Sequence, residues 1–434
     1  MEKLLEFVQN NIQANTARLI LDRGKWPDID MDIAVNCIES RIKLKGKIRE
    51  WYENPNLIFP LKLSAEQCSS SLTGLYKSEL AARIAGAAEG WKLADLTGGL
   101  GVDSWYFSKK AGQVLYCEMQ KALCEAAIHN FTALGADNIQ VRNCMVVPKT
   151  DAEAKVVGLE TSPDELFADY TPDIIYLDPA RRGEGGRKVF LLENCTPDIL
   201  RLKDDLFSCA RHILLKLSPM ADITMVCERL GACCREVHVV GASGECKELL
   251  VWMDKEWDGD YTITAAELSG AEDDGRCEAA LFSFSPAEER SSSALIAGKD
   301  EIAAASYLFE PGKALMKAGA YNLFSTKSGL KKLGRSTHYY IASDQNINAS
   351  ETFDNFKKLG KVFNILRCES LDKRSIKDIA SAYPKAEVTA RNLPMDTDTL
   401  RKKLGTKSSD QFHIFGLKSD TAGNLLIAAE REII

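Results

Sequence analysis

Two stretches of the chain carry residue types that can hold and activate a small molecule. The first is Ala94 to Asp103, ADLTGGLGVD. The run Trp91 to Leu96 predicts a buried strand. Gly98, Gly99 and Gly101 predict a tight turn, with a helix starting directly after it. Glycine lets the backbone bend sharply and lets a ligand come close to it. A helix start adds unpaired N–H donors. Asp95 opens this turn, and Thr97 and Asp103 lie in it. A further acid, Glu118, closes the next predicted strand, Gln113 to Cys117, 17 residues after Gly101. A carboxylate placed there can accept hydrogen bonds from a ribose diol. A dinucleotide site uses the same logic with Gly-x-Gly-x-x-Gly, but Ser104 stands where its third glycine belongs. The second stretch is Asp178-Pro179-Ala180-Arg181, at the end of a predicted buried strand from Asp173 to Leu177. Arg181, Arg182 and Arg187 follow among Gly183, Gly185 and Gly186. They form either a flexible basic loop suited to a phosphate backbone or an ordinary solvent loop.

The elements that must position these residues can be read in order. Residues 1 to 62 read as helical, with Leu4, Leu5, Phe7, Val8, Ile12 and Leu19 at helix-like intervals. Trp51, Tyr52 and Phe59, near Pro55 and Pro60, suggest a docking turn whose aromatics pack a core or line a cleft. Leu61 to Gly90 is helical in its second half and supplies Gln67, Ser69, Ser70, Thr73, Tyr76 and Lys77 just before the first strand. Strand, turn and helix then alternate. A helix runs from Lys121 to Gly135, a strand from Ile139 to Arg142 ends at Asn143, and a polar connection covers 148–172. Ile213 to Leu215 ends in KLSPMAD, and two last strands lie near Glu236 to Val240 and Glu248 to Met253. This alternation predicts a parallel, doubly wound sheet with right-handed crossovers. Ligands on such sheets bind beyond the carboxyl ends of the strands, where each motif above falls. The expected organisation is a helical cap over 1–62, the α/β domain over 63–255, a small α+β, ferredoxin-like module over 256–330 and a basic domain over 331–434. The last of these has predicted strands at His338 to Ile341 and Lys361 to Leu366, a helix at Ser375 to Tyr383 and a final hairpin from Gln411 to Ala429.

Bulk composition narrows the classes. Hydrophobic content of 45% and charged content of 27% are ordinary for a globular chain. No apolar run approaches the roughly 20 residues of a membrane span, and the N-terminus, MEKLLEFVQN, lacks a signal-peptide core. The 13 cysteines are scattered, with none in a Cys-x-x-Cys pair. We therefore expect reduced thiols, no metal site and a cytoplasmic location. Net charge is −7, which argues against a uniformly basic nucleic-acid binder. The charge is uneven, however. Pro311 to Ile434 carries 21 Lys and Arg against 13 Asp and Glu, and the remainder 34 against 49. A basic tail on an acidic body suggests a phosphate-facing surface, although charged helix faces in solvent would look similar.

An acid, then Gly-Gly-x-Gly, then an acid ending the second strand resembles the S-adenosylmethionine site of methyltransferases. Around Asp178 three resemblances compete. Asp178-Pro179-Ala180-Arg181 is similar to the Asp/Asn-Pro-Pro-aromatic signature of amino methyltransferases, but Ala180 and Arg181 depart from it. It is also similar to the Asp-Pro-Pro-Arg of RNA uracil-C5 methyltransferases. Those need a cysteine nucleophile, and Leu217 occupies its place in Lys216-Leu217-Ser218-Pro219. Finally, Lys77, Asp178, Lys216 and Glu248 resemble in order and placing the Lys-Asp-Lys-Glu tetrad of ribose-2′-O methyltransferases. There a lysine whose pKa is lowered by its surroundings would deprotonate a ribose hydroxyl, and alignment of the reactants would do most of the remaining work. Lys216 and Glu248 could equally be ordinary strand-end charges paired with each other.

From about residue 60 to the end, EQCSS, DLTGGLGVD, YLDPARR, LLKLSPMAD, ECKELL, YLFEPGKALMKAGAYN and FHIFGLKSDTAGNLLIAAER resemble a bacterial family of class I methyltransferases with a THUMP-like C-terminal domain. The resemblance implies a Rossmann-like sheet and S-adenosylmethionine held by Asp95, Thr97, Gly98, Gly99, Gly101, Asp103, Glu118, Met119, Asn143, Asp178 and Pro179. Asn143 would meet the adenine. Asp178, Lys216, Lys77 and Glu248 would be catalytic, and Arg181, Arg182 and Arg187 would contact the substrate. By analogy with THUMP domains the substrate would be RNA, tRNA or rRNA. Methylation of a protein or small molecule, or a non-catalytic module that binds cofactor and RNA, would be the alternatives.

Overall fold

The computed structural model describes residues 1–86, 88–152, 158–181, 191–270, 276–343 and 356–432. They gather into two compact units. One comprises Met1–Ala242, Lys247–Tyr261 and Leu268–Ala279, and the other Ser243–Cys246, Thr262–Glu267 and Ala280–Ile434.

In the first unit seven strands matter for the site: β1 (Lys92–Asp95), β2 (Gln113–Glu118), β3 (Ile139–Asn143), β4 (Ile174–Leu177), β5 (His212–Leu217), β6 (Cys234–Ala242) and β7 (Glu245–Asp254). Their spatial order is β6-β7-β5-β4-β1-β2-β3. Every pairing from β3 across to β5 is parallel. β4 is buried along its whole length, which suits a parallel strand covered on both faces. The expectation of a parallel sheet fails at β7, which runs antiparallel to β5. Only Ser243 and Gly244, both at positive φ, separate β7 from β6, and two residues are too few for a crossover. From β1 the chain winds outward to β2 and β3, then returns to place β4 on the other side. That reversal is the topological switch point, where a crevice opens beyond the strand ends.

The N-terminal helices belong to the same core. Val8, Ile38, Trp51, Leu57 and Phe59 pack with Leu100, Trp105, Tyr116 and Phe131. Asn130 ties the two halves together, accepting from the Ile58 N–H and donating to the Ile58 carbonyl, each at 2.8 Å. Trp51 and Phe59 are fully buried, so they are core side chains and do not line a cleft. Ser70 then caps the Ser71–Ala85 helix through a reciprocal box with Thr73, which fixes where Ser69 and Lys77 emerge.

The second unit holds a mixed sheet in the order Lys331–Lys332, Tyr340–Ala342, Tyr307–Pro311, Gly360–Ser370, Gly423–Arg431, Phe412–Ser419, Glu387–Arg391. Helices Lys373–Ala382 and Thr397–Leu404 cover one face, with Ile379, Leu400 and Leu404 against Val388, Ile414 and Leu426. Phe363, Phe415 and Ile427 turn to the other face, against Ile302, Leu333 and Tyr339. Among the described residues no helix is long and apolar enough to cross a membrane, and no group of side chains could hold a metal ion.

Candidate active site

A cavity of about 690 Å³ opens at the switch point, lined by both motif turns. Its two walls are physically linked. The Asp178 backbone N–H donates to Thr97 Oγ1 at 2.6 Å, so the glycine turn and the Asp-Pro turn are neighbours.

The glycine-turn wall is mostly hydrogen-bonded backbone. A Cβ on Gly98 would lie 2.2 Å from the Tyr116 ring, so only glycine fits. The Tyr116 hydroxyl donates to the Gly99 carbonyl at 2.6 Å. Glu118 accepts from the Gly99 N–H at 3.0 Å and from the Gln120 N–H at 2.8 Å. Each oxygen keeps a further lone pair. Asp95 is buried and turned inward, accepting from Ser104 Oγ at 2.6 Å and from the Thr97 N–H at 3.0 Å. Burial pushes its carboxyl up to about 7, against the pull of those two donors.

The opposite wall is ionic. Lys77, whose side chain is fully buried, donates to Glu248 Oε1 at 2.7 Å and to Ser69 Oγ at 2.9 Å, and lies 3.4 Å from Asp103 Oδ1. Lys216 donates to Asp178 Oδ2 at 2.6 Å and lies 3.8 Å from Asp103 and 4.0 Å from Glu248. Ser69 Oγ and the Tyr176 hydroxyl both donate to Asp103 Oδ2, at 3.0 and 2.8 Å. Three carboxylates thus surround two ammonium groups. Burial alone would push the Lys216 pKa down, but Asp178, Asp103 and Glu248 outweigh it and push it up. The expected lysine of lowered pKa is therefore not found at Lys216: its neighbours on this wall are mainly anionic. Burial pushes the Glu248 carboxyl up despite both lysines.

Two domain families match parts of the second unit. A ferredoxin-like domain family matches residues 307–348, and a THUMP domain-like family matches residues 360–431. A candidate methyltransferase from Porphyromonas gingivalis W83 superposes over 99% of this chain and 98% of its own, with a TM-score of 0.79 at 28% identity. The chain shares that methyltransferase's fold and carries a THUMP-like domain at its C-terminus. Two other solved structures are less similar. An S-adenosylmethionine-dependent methyltransferase from Agrobacterium tumefaciens is 17% identical, with 50% of this chain and 62% of that one covered and a TM-score of 0.30. An rRNA methylase from Streptococcus thermophilus is 10% identical, with 42% and 94% covered and a TM-score of 0.29. No curated protein matches the chain.

In this methyltransferase, Asp95, Thr97, Gly98, Gly99, Asp103, Glu118, Met119, Asp178 and Pro179 all line the cavity, as do Lys216 and Glu248. Gly101 stands just behind, as the left-handed cap of the Val102–Ser108 helix. Lys77 lies behind the wall and reaches it through Ser69 and Glu248. Asn143 is not a lining residue. Its amide donates to the Glu118 and Met119 carbonyls at 2.8 and 3.1 Å, and its neighbours Cys144, Met145 and Val146 face the cavity instead. Arg182 and Arg187 fall outside the described residues, as does the Arg181 side chain. Ala180–Thr196 and Arg181–Cys195 form an antiparallel pair, with Ala180 and Thr196 lining the cavity. Sequence reasoning gives no role in the ionic wall to Ser69 or Tyr176. Ser69, just ahead of a helix cap, is the one with a visible signal.

Proposed function

We propose that this methyltransferase transfers a methyl group from S-adenosylmethionine to RNA, with a ribose hydroxyl as the acceptor its ionic wall suits best. One observation carries the reading: Lys77, Asp178, Lys216 and Glu248, spread over 171 positions of sequence, converge opposite the glycine turn, the last three lining one cavity and Lys77 bonded to Glu248 just behind them.

The cavity is suited to such a cofactor. Its volume falls in the ~300–1,000 Å³ range of small-molecule sites. The space over Gly99 is open, since a Cβ there would meet only the Thr97 carbonyl at 3.7 Å. Glu118 would take the ribose hydroxyls, and Met119, Leu123, Met145 and Val146 would enclose the base. The bound cofactor would supply an electrophilic methyl group. Asp178, the more exposed partner of its pair with Lys216, would accept the acceptor's proton. Lys216, held cationic, would stabilise the oxygen as it gives that proton up. The wall keeps these two side chains in one geometry before the reactants arrive.

The RNA part rests on the second unit. Lys373, Arg374 and Lys377 on one helix and Lys402 and Lys403 on the other are exposed, on helices whose apolar sides are buried against the sheet. Such a surface suits a phosphate backbone.

The test is methyl transfer from labelled S-adenosylmethionine into RNA from a strain lacking the gene, followed by alkaline hydrolysis. Label in alkali-resistant dinucleotides supports ribose methylation. Label in bases contradicts the ribose assignment, and label confined to protein or small molecules contradicts the RNA assignment.

A further inference from the structure

Asp103 lies in the first turn of the helix after the glycine turn, a place that the sequence pattern gives to the cofactor. Its carboxylate is engaged by the ionic wall. Oδ2 is fixed by Tyr176 at 2.8 Å and Ser69 at 3.0 Å. Oδ1 has no hydrogen bond and faces Lys77 at 3.4 Å. Lys216 lies 3.8 Å from the carboxylate. A Lys-Asp-Lys-Glu set alone would bring two acids to two lysines, and Asp103 adds a third. We propose that Asp103 is a positioning residue that holds Lys216 in its cationic state and aims it at Asp178. This deepens the reading of the ionic wall as the acceptor end and rests on it.

The groups facing Lys216 can be named element by element. Asp178 follows β4, Glu248 lies on β7, Lys77 on the Ser71–Ala85 helix and Asp103 on the Val102–Ser108 helix. Lys47 and Cys68 approach from the N-terminal segment. Asp103 holds its charge more firmly than Glu248 does. Burial pushes it up, but Lys77, Lys216, Tyr176 and Ser69 outweigh burial and hold it below the usual carboxylate range. Glu248 is pushed the other way. Asp103 thus keeps its charge where Glu248 takes up a proton. Removing its charge leaves Lys216 in a buried site with less to offset desolvation.

The test is an NMR titration of 15N-lysine-labelled protein, with the Lys216 signal assigned by its disappearance in Lys216→Gln. In Asp103→Asn, which can still accept from Tyr176 and Ser69, the Lys216 titration should fall by at least about one pH unit, while S-adenosylmethionine affinity stays within about three-fold by calorimetry. Tyr176→Phe keeps the Asp103 charge and removes one anchor, and should give a smaller fall in the same direction. Asp103→Glu should restore the titration in part. If RNA is the substrate, the alkaline limb of its methylation-rate profile, where Lys216 loses its proton, should move to lower pH with the lysine. An unmoved Lys216 titration in folded Asp103→Asn overturns the proposal. So does a large drop in cofactor affinity with Lys216 unmoved, which would make Asp103 a cofactor ligand. The titration needs no acceptor, so a failure of the RNA reading leaves this test intact.

Discussion

The two walls of the cavity are built by different means. On the glycine-turn wall the polar contacts are mostly to backbone, made by the Glu118 and Asp95 carboxylates and the Tyr116 hydroxyl, and the shape comes from residues without side chains. On the Asp178 wall five charged side chains from separate elements hold one another, with Ser69 and Tyr176 donating to Asp103. The first wall is suited to recognise a constant ligand by shape. The second stores charge where the proposed proton transfer would take place. The two should therefore fail differently when broken.

The largest expected effect lies on the ionic wall. Asp178→Asn should lower methyl transfer by roughly 10²–10⁴-fold, the usual share of a proton acceptor, measured as label incorporated per minute. Next comes stability. Lys77→Met leaves Glu248 and Asp103 buried without their closest cation, and should destabilise the fold by about 3–5 kcal/mol in urea titration. On the glycine-turn wall, Gly98→Ala should cost about 1–3 kcal/mol, because its Cβ meets the Tyr116 ring. A pH effect comes from the same wall. The Asp95 carboxyl titrates at about 7 when folded, well above its unfolded value, so the native state binds the extra proton. Its contribution to stability is present at low pH and is lost as pH rises through that window. Asp95→Asn should flatten the decline in melting temperature toward neutral pH. The smallest effect per residue should appear at the basic helices. Replacing Lys373, Lys377, Lys402 and Lys403 by Ala should weaken RNA binding. The logarithmic salt slope should become shallower by about 0.7–0.9 for each phosphate these lysines neutralise.

The same contrast explains what was legible in the sequence. The glycine-turn wall is nearly contiguous, with ADLTGGLGVD and Glu118 joined by one helix, so its strand, turn and helix follow from local signals. The sheet follows from alternating apolar runs, except at β7, where the two-residue turn at Ser243 leaves no room for a crossover. Lys77, Asp178, Lys216 and Glu248 stand out only by resemblance. The role of Asp103 is not visible, because a helix-start acid after a glycine turn reads as a ligand until Tyr176 and Ser69 are placed beside it. Asn143 fails for a related reason: at a strand end, its amide serves the neighbouring carbonyls instead of the cavity.

The account depends on cofactor and acceptor occupying opposite walls. The most direct measurement is calorimetric titration of S-adenosylmethionine into Glu118→Gln and Asp178→Asn side by side. Removing charge-assisted hydrogen bonds should weaken binding about 10–100-fold in Glu118→Gln, and Asp178→Asn should bind within a few-fold of the unaltered protein. Equal weakening in both, or weakening confined to Asp178→Asn, would contradict the division of the site.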